Sequence, residues 1–388
     1  MVFRFHLDAS ARLFIIKTIQ VLIMNALLYN IIFLVSLALA KPSNNSLGAT
    51  CTVSSYDDVA SAISSCTTIN LGSFTVPAGT TLALKLKTGT TVNIQGTIKF
   101  GYQEWKGPLV QVSGKQVTIN GASGKFDGEG ANYWDSQGDK GKTKPKFFKI
   151  STTSSSTFND ITLKNCPHQC VSISSASDTT LSGWNIDVSA GDSAGGHNTD
   201  GFDISGSTGI TIKNSVVKNQ DDCVAINQGS NLVFESLTCS GGHGLSLSVG
   251  QSTENGDANT VKNVVFSDCT VKNSRNGIHI KTHKDAGTGA ISDVTYKNIK
   301  LSGITNYGIN VQENYANGGD SGDPLGNIPI TNLNLQSVTG SMSGGSSSMS
   351  VYILCGDGGC SNWAWSGVSI SSAKKSNSCN FTPSGFTC

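Results

Sequence analysis

One pattern constrains this chain more than any other: short strands of alternating apolar and polar residues that return again and again. TVNIQGTIKF (91–100), GITIKNSVV (209–217), NLVFESLTC (231–239) and DVTYKNIKL (293–301) all read this way, as half-buried strands do. The segments NTDGFDIS, QDDCVAIN, GHGLSLS, RNGIHIK and TNYGINV can be superimposed on their apolar pairs, Phe202/Ile204, Val224/Ile226, Leu245/Leu247, Ile278/Ile280 and Ile309/Val311. The steps between them are 22, 21, 33 and 31 residues. A repeat of that length built only from short strands predicts an all-β solenoid, a parallel β-helix whose coils stack one on the next. An antiparallel sandwich is the alternative, but the hairpin dipeptides it needs are sparse. Helical periodicity is confined to SSYDDVASAISSC (54–66), where Ser55 or Asp57 is placed to cap a short N-terminal helix that ends at a cysteine.

The chain has 388 residues, of which 14% are charged, and a net charge of +1. That near-neutral balance argues against nucleic acid as a partner, because phosphate binding leaves a basic footprint. Residues 1–40 are apolar, carry Arg4, Arg12 and Lys17 at the front and end in Ala38-Leu39-Ala40, the layout of a secretory signal. Met24 precedes a compact run that would serve as a signal by itself, so it is an alternative start, and an uncleaved membrane anchor is the competing reading of the whole segment. A single exported domain, 41–388, follows, with no membrane association expected once the signal is removed. Its 11 cysteines imply disulfides in an oxidising compartment, with at least one thiol left over. Closeness in sequence suggests Cys51 with Cys66, Cys223 with Cys239, Cys355 with Cys360 and Cys379 with Cys388, and leaves open which of Cys166, Cys170 and Cys269 is unpaired. Sequons at Asn44 and Asn380 fit export.

The superposition has a chemical consequence. Two positions before the first apolar residue of successive coils stand Asp200, Asp222, His243, Asn276 and Tyr307. Equivalent positions of stacked strands lie about 4.8 Å apart, so Asp200, Asp222 and His243 are expected in one column, with Asp221 beside them. Carboxylates held this close raise one another's pKa and cost stability unless something uses them. Hydrolysis of a glycosidic bond is such a use, with one acid protonating the leaving oxygen and another carboxylate activating water. Calcium is the competing use, but an imidazole suits a hard cation poorly. In NGIHIKTH (276–283), His279, Lys281 and His283 emerge on one strand face, yet an ammonium between two imidazoles makes a metal site implausible. No metal and no cofactor are expected.

In order and spacing, NTDGFDIS, NQDDCVAIN, GGHGLSLS and NGIHIKT resemble the four signature motifs of polygalacturonases, the pectin-cleaving glycoside hydrolases of family 28. The similarity runs over nearly all of the exported chain, from the Cys51 to Cys66 loop to the final Cys379/Cys388 pair. The resemblance implies a right-handed, single-stranded parallel β-helix with its site in a cleft on one face. It also implies inverting hydrolysis of α-1,4-linked galacturonic acid. The lack of a large insertion in the exported part points to an open cleft and an endo-acting, secreted enzyme, expected to be a monomer, with loop conformation deciding between endo and exo action. By motif position Asp221 resembles the general acid, Asp200 and Asp222 the pair that hold and deprotonate water, and His243 the residue that tunes the acid. Asn198, His279, Lys281 and Tyr315 resemble substrate-contacting positions. Pectin or polygalacturonate is the implied partner, and plant inhibitor proteins are candidates for the same surface.

One position departs from the family. Its fourth motif is normally R-I-K, and here it is His279-Ile280-Lys281. Arginine is always charged and presents a planar fork to a carboxylate, whereas histidine is cationic mainly below about pH 6.5. Losing a bidentate charged contact costs on the order of 2 to 3 kcal/mol of binding. In an active enzyme His279 is then expected to be a weaker or pH-dependent carboxylate ligand, and the departure opens a second expectation: a pectin-binding or substrate-shifted protein with weak or no hydrolysis.

Overall fold

The computed structural model of the protein describes residues 48–121, 123–316 and 319–388. The expected signal, residues 1–40 with its alternative start at Met24, and the sequon at Asn44 lie outside them. Among the described residues no helix is long and apolar enough to cross a membrane.

The strands coil into a parallel β-helix. One sheet takes a strand from each coil in chain order, from Leu82–Lys85 through Phe202–Ser205, Asp222–Ile226, Gly244–Val249, Asn276–His283 and Tyr307–Ala316 to Ser378–Cys379. Apart from the short strand Gly319–Asp320, which pairs antiparallel with Tyr307–Ala316, the remaining strands form the other faces, which are joined because the long strands Ala290–Ile304 and Ile330–Met342 run across both. The apolar pairs superimposed in the sequence are those that stack: Phe202 faces Val224, Val224 faces Leu245, Leu245 faces Ile278 and Ile278 faces Ile309. All five are fully buried. Since side chains alternate along a strand, burying this row sends Asp203, Ala225, Ser246, His279 and Asn310, which are in register with one another, to the outer face.

Inside, coil stacking brings like residues together. Phe234, Phe266 and Tyr296 lie ring on ring at 4.5 and 4.6 Å, in the offset or stacked arrangements that aromatic quadrupoles favour. Between strands, the chain turns through left-handed positions taken by Asn214, Asn231, Asn263 and Asn298, with φ of 52°, 56°, 54° and 53°, a conformation that asparagine tolerates better than most residues. At the N-terminal end Ser55 Oγ accepts the Asp57 N–H at 3.1 Å and starts a single 3-10 turn that leads into the helix Val59–Ser65. Cys66 ends that helix and is bonded to Cys51. The other three expected disulfides are present, and the unassigned cysteines divide into a Cys166–Cys170 bridge and a buried thiol at Cys269.

Candidate active site

The acidic residues sit in the turns that lead into Phe202–Ser205 and Asp222–Ile226. Asn198 holds a left-handed φ of 52°, which bends the chain sharply before Asp200. One buried side chain ties the two turns together. The Asn219 amide nitrogen lies 3.0 Å from the Thr199 carbonyl, 2.9 Å from that of Asp221 and 3.0 Å from that of Asp222. Asn219 is 1% exposed, so its bonds are made out of competition with water and fix the acids relative to one another. Thr199 Oγ1 completes the clamp by accepting the Gln220 N–H at 2.9 Å.

The column expected from the sequence is broken at one point. Asp222 stands opposite Gly244, not His243, because the register shifts between Asp222 and Val224 and leaves Cys223 as an extra residue. A bulge of this kind re-aims the flanking side chains. It turns His243 toward Asp221: Nδ1 lies 3.0 Å from Asp221 Oδ1. The second Asp221 oxygen accepts from Asn198 Nδ2 at 3.2 Å, and the Asp222 N–H donates to Oδ1 at 2.8 Å. Asp222 is held separately, by Ser246 Oγ at 2.6 Å and by the Lys281 ammonium at 2.9 Å.

These contacts sort the protons. Despite its burial, Asp221 is held well below the usual carboxylate range by the His243 hydrogen bond and charge and by Lys281. Its partner His243 is raised, the bond to Asp221 outweighing burial. Asp200 goes the other way, driven well up by burial first and then by Asp221, Asp203 and Asp222. Asp203, on the same face, is pushed up by burial to about 7. Lys281 is raised because the carboxylate of Asp222 outweighs its burial, and its ammonium also lies 4.9 Å from the centre of the Tyr315 ring. Without substrate, protons therefore rest on Asp200 and His243, while Asp221 is an anion. Donor atoms of Asp221, Asp222 and His243 lie within 4.8 Å of one another, a grouping a cation would accept, but the imidazole and the ammonium already place positive charge against both carboxylates.

The substrate-contacting candidates are brought to the same surface, with one correction to their chemistry. Asn198 bridges Asp221 and the loop before it, its Oδ1 accepting the Asp139 N–H at 3.1 Å. His279 is 7% exposed, with Nδ1 3.3 Å from the Asn276 amide and the ring 6.1 Å from that of Tyr315, edge to face. Burial, then Lys281, then His243, keep it well below its ordinary pKa. That environment works against the expectation that His279 serves as a cation below about pH 6.5, because burial and the neighbouring Lys281 disfavour the charged ring. His283, the other histidine of the strand, is lowered by burial to about 4 and bonded to Ser248 Oγ at 3.0 Å. Sequence reasoning passed over Asn219, Ser246 and Asp203. All three stand inside the quoted motifs, but only their contacts reveal what they hold.

With this geometry in view, comparison with known proteins is specific. The pattern of glycosyl hydrolases family 28 matches residues 66–388. A polygalacturonase of Phaedon cochleariae is 51% identical over 345 residues, covering 88% of this chain and 94% of that one. Endopolygalacturonase I of Aspergillus niger is 50% identical over 344 residues, covering 88% and 91%. Among solved structures, endopolygalacturonase I from Stereum purpureum complexed with two galacturonates superimposes with a TM-score of 0.75 at 37% identity, covering 84% of this chain and 96% of that one.

Proposed function

The chain belongs to glycosyl hydrolases family 28, and from that premise we propose that it is a secreted endo-polygalacturonase, hydrolysing the α-1,4-galacturonosyl linkages of pectin homogalacturonan. The observation that carries the reading is the convergence of Asp200, Asp221, Asp222 and His243 on one outer face beside Lys281. In this reading Asp221 protonates the leaving oxygen, while Asp200 and Asp222 hold and deprotonate water, inverting the anomeric carbon. The leader at 1–40 supports export, with the mature protein acting as a monomer on polygalacturonate in a cleft that plant inhibitor proteins would also seek.

The resting protons make a demand on this mechanism. Asp221 acts as an acid only after gaining the proton that the pair holds on His243, and the 3.0 Å contact between them is the route. Asp200 must lose its proton to serve as a base, and Lys281 favours that change. A galacturonate carboxylate entering the site draws protons toward the groups it approaches, so substrate itself helps to set the reactive arrangement. The cluster titrates as one unit, and its activity profile reports the unit rather than any single residue.

The neutral, buried His279 favours a second reading, a pectin-binding or substrate-shifted protein with little hydrolysis. Release of reducing ends from polygalacturonate between about pH 4 and 7, by the natural protein and by His279→Arg, separates the two. The proposal expects product from the natural protein, with no His279-dependent loss of rate near the ordinary histidine pKa. Product from the variant alone would establish the second reading instead.

A further inference from the structure

We propose that Arg275 is a carboxylate-gripping residue of the cleft, supplying from the turn before Asn276–His283 the guanidinium that His279 does not provide. The ligand it takes is a uronate carboxylate, and the identity of that uronate as galacturonate rests on the function proposed above.

Composition first draws attention to this residue. Arginine occurs at positions 4, 12 and 275 only, so, histidines aside, every basic side chain among the described residues is lysine except this one. Lysine is a compact, hydrated point charge; arginine is chosen where a planar fork matches a carboxylate with two parallel hydrogen bonds.

Its placement is fixed from three sides. The Arg275 N–H donates to the Gly242 carbonyl at 2.8 Å, next to His243. Its own carbonyl accepts the Asn306 N–H at 2.8 Å and the Tyr307 N–H at 3.3 Å, in the following coil. The next residue, Asn276, bonds His279. Arg275 therefore borders the coil where the anchors are expected, between the turn carrying His243 and the turn leading to Tyr315. The guanidinium is near enough to the site to contribute to the lowered pKa of His279.

The cationic candidates on the strand Asn276–His283 itself do not offer a free charge. Lys281 is buried against Asp222, and His279 is neutral. Arg275 is exposed, and no ion pair among the described residues involves it. An arriving polyanion meets an uncommitted guanidinium at the edge of a site whose inner ammonium is already paired. Because the contact is exposed, salt screens it.

The test uses the full exported chain with Arg275→Ala and Arg275→Lys, each melting at the temperature of its parent. Binding of a galacturonate oligomer is measured without turnover in an Asp200→Asn background, and KM and kcat are measured in the natural background. The expected result is a loss of affinity of roughly 10- to 100-fold for Arg275→Ala, a smaller loss for Arg275→Lys, and a rise in KM that exceeds any fall in kcat. On the methyl-esterified oligomer, which has no carboxylate, Arg275→Ala should bind as its parent does. Unchanged binding of the acid oligomer by Arg275→Ala would overturn the proposal, as would an equal loss on the ester. Failure of the polygalacturonase reading shows differently, as absence of product from the natural protein, and leaves the binding comparison able to decide the role of Arg275.

Discussion

Two columns of polar residues run along this β-helix, and the same stacking rule gives them opposite characters. Asn70, Asn93, Asn120 and Asn159 occupy equivalent positions in successive coils. From Asn93 onward each amide donates to the one in the coil before it, at 2.9, 3.0 and 3.1 Å. An amide carries both donor and acceptor, so a stack of identical amides satisfies itself. Asp200 and Asp222 are stacked by the same geometry on another face, but carboxylates only accept, and like charges repel. They are tolerated because Ser246 and Lys281 hold the Asp222 carboxylate while Asp200 keeps its proton. A solenoid thus turns a run of asparagines into a spine at no electrostatic cost, and turns a run of aspartates into a cluster that holds a proton on one member, which chemistry can use.

The comparison breaks most visibly through activity. A double Asp221→Asn, Asp222→Asn change converts the acids to the residue type of the ladder, and hydrolysis of polygalacturonate should fall by at least about 1,000-fold, measured as reducing ends. Asn120→Asp makes the reverse exchange, and should leave the rate within about two-fold while destabilising the fold by roughly 1 to 3 kcal/mol in urea unfolding, since an anion cannot donate to the Asn93 oxygen. Lys281→Met strands the buried Asp222 carboxylate and should lower both quantities, with a stability loss of about 3 kcal/mol.

The smallest effect is the pH dependence of stability. Asp203 titrates at about 7 when folded, and Asp200 is also raised, so above the ordinary carboxylate pKa the folded state binds more protons than the unfolded one. Stability contributed by these groups therefore declines as pH rises from about 4 toward 7. Asp203→Asn should flatten that decline in a series of thermal melts. Asp187, lowered to about 2 by the Lys164 and Ser189 hydrogen bonds, acts in the opposite sense, and its contribution is lost as pH falls toward that value.

Much of the spine was legible in the sequence, and less of the site. The apolar rows from Phe202 to Ile309 could be read because periodicity records which residues face inward. His243 was assigned to the Asp222 column because counting residues cannot see the bulge at Cys223. The charge of His279 depends on burial and on Lys281, which are properties of the packed coil and leave no mark in the motif. Asn219 stands in plain view inside NQDDC, yet its grip on three carbonyls belongs to two turns that are distant in sequence. The pairing of Cys166 with Cys170, left open by spacing, followed once the turn brought their Cα atoms to 5.3 Å.

The most direct test of stacked charge kept for chemistry is a paired measurement on Asp200→Asn, comparing its thermal melt near neutral pH with its rate of polygalacturonate hydrolysis. Removing a buried acid that must take up a proton on folding should raise the melting temperature above that of the natural protein while the rate falls by about 100-fold or more. A variant that melts lower, or that hydrolyses at the natural rate, would contradict the account.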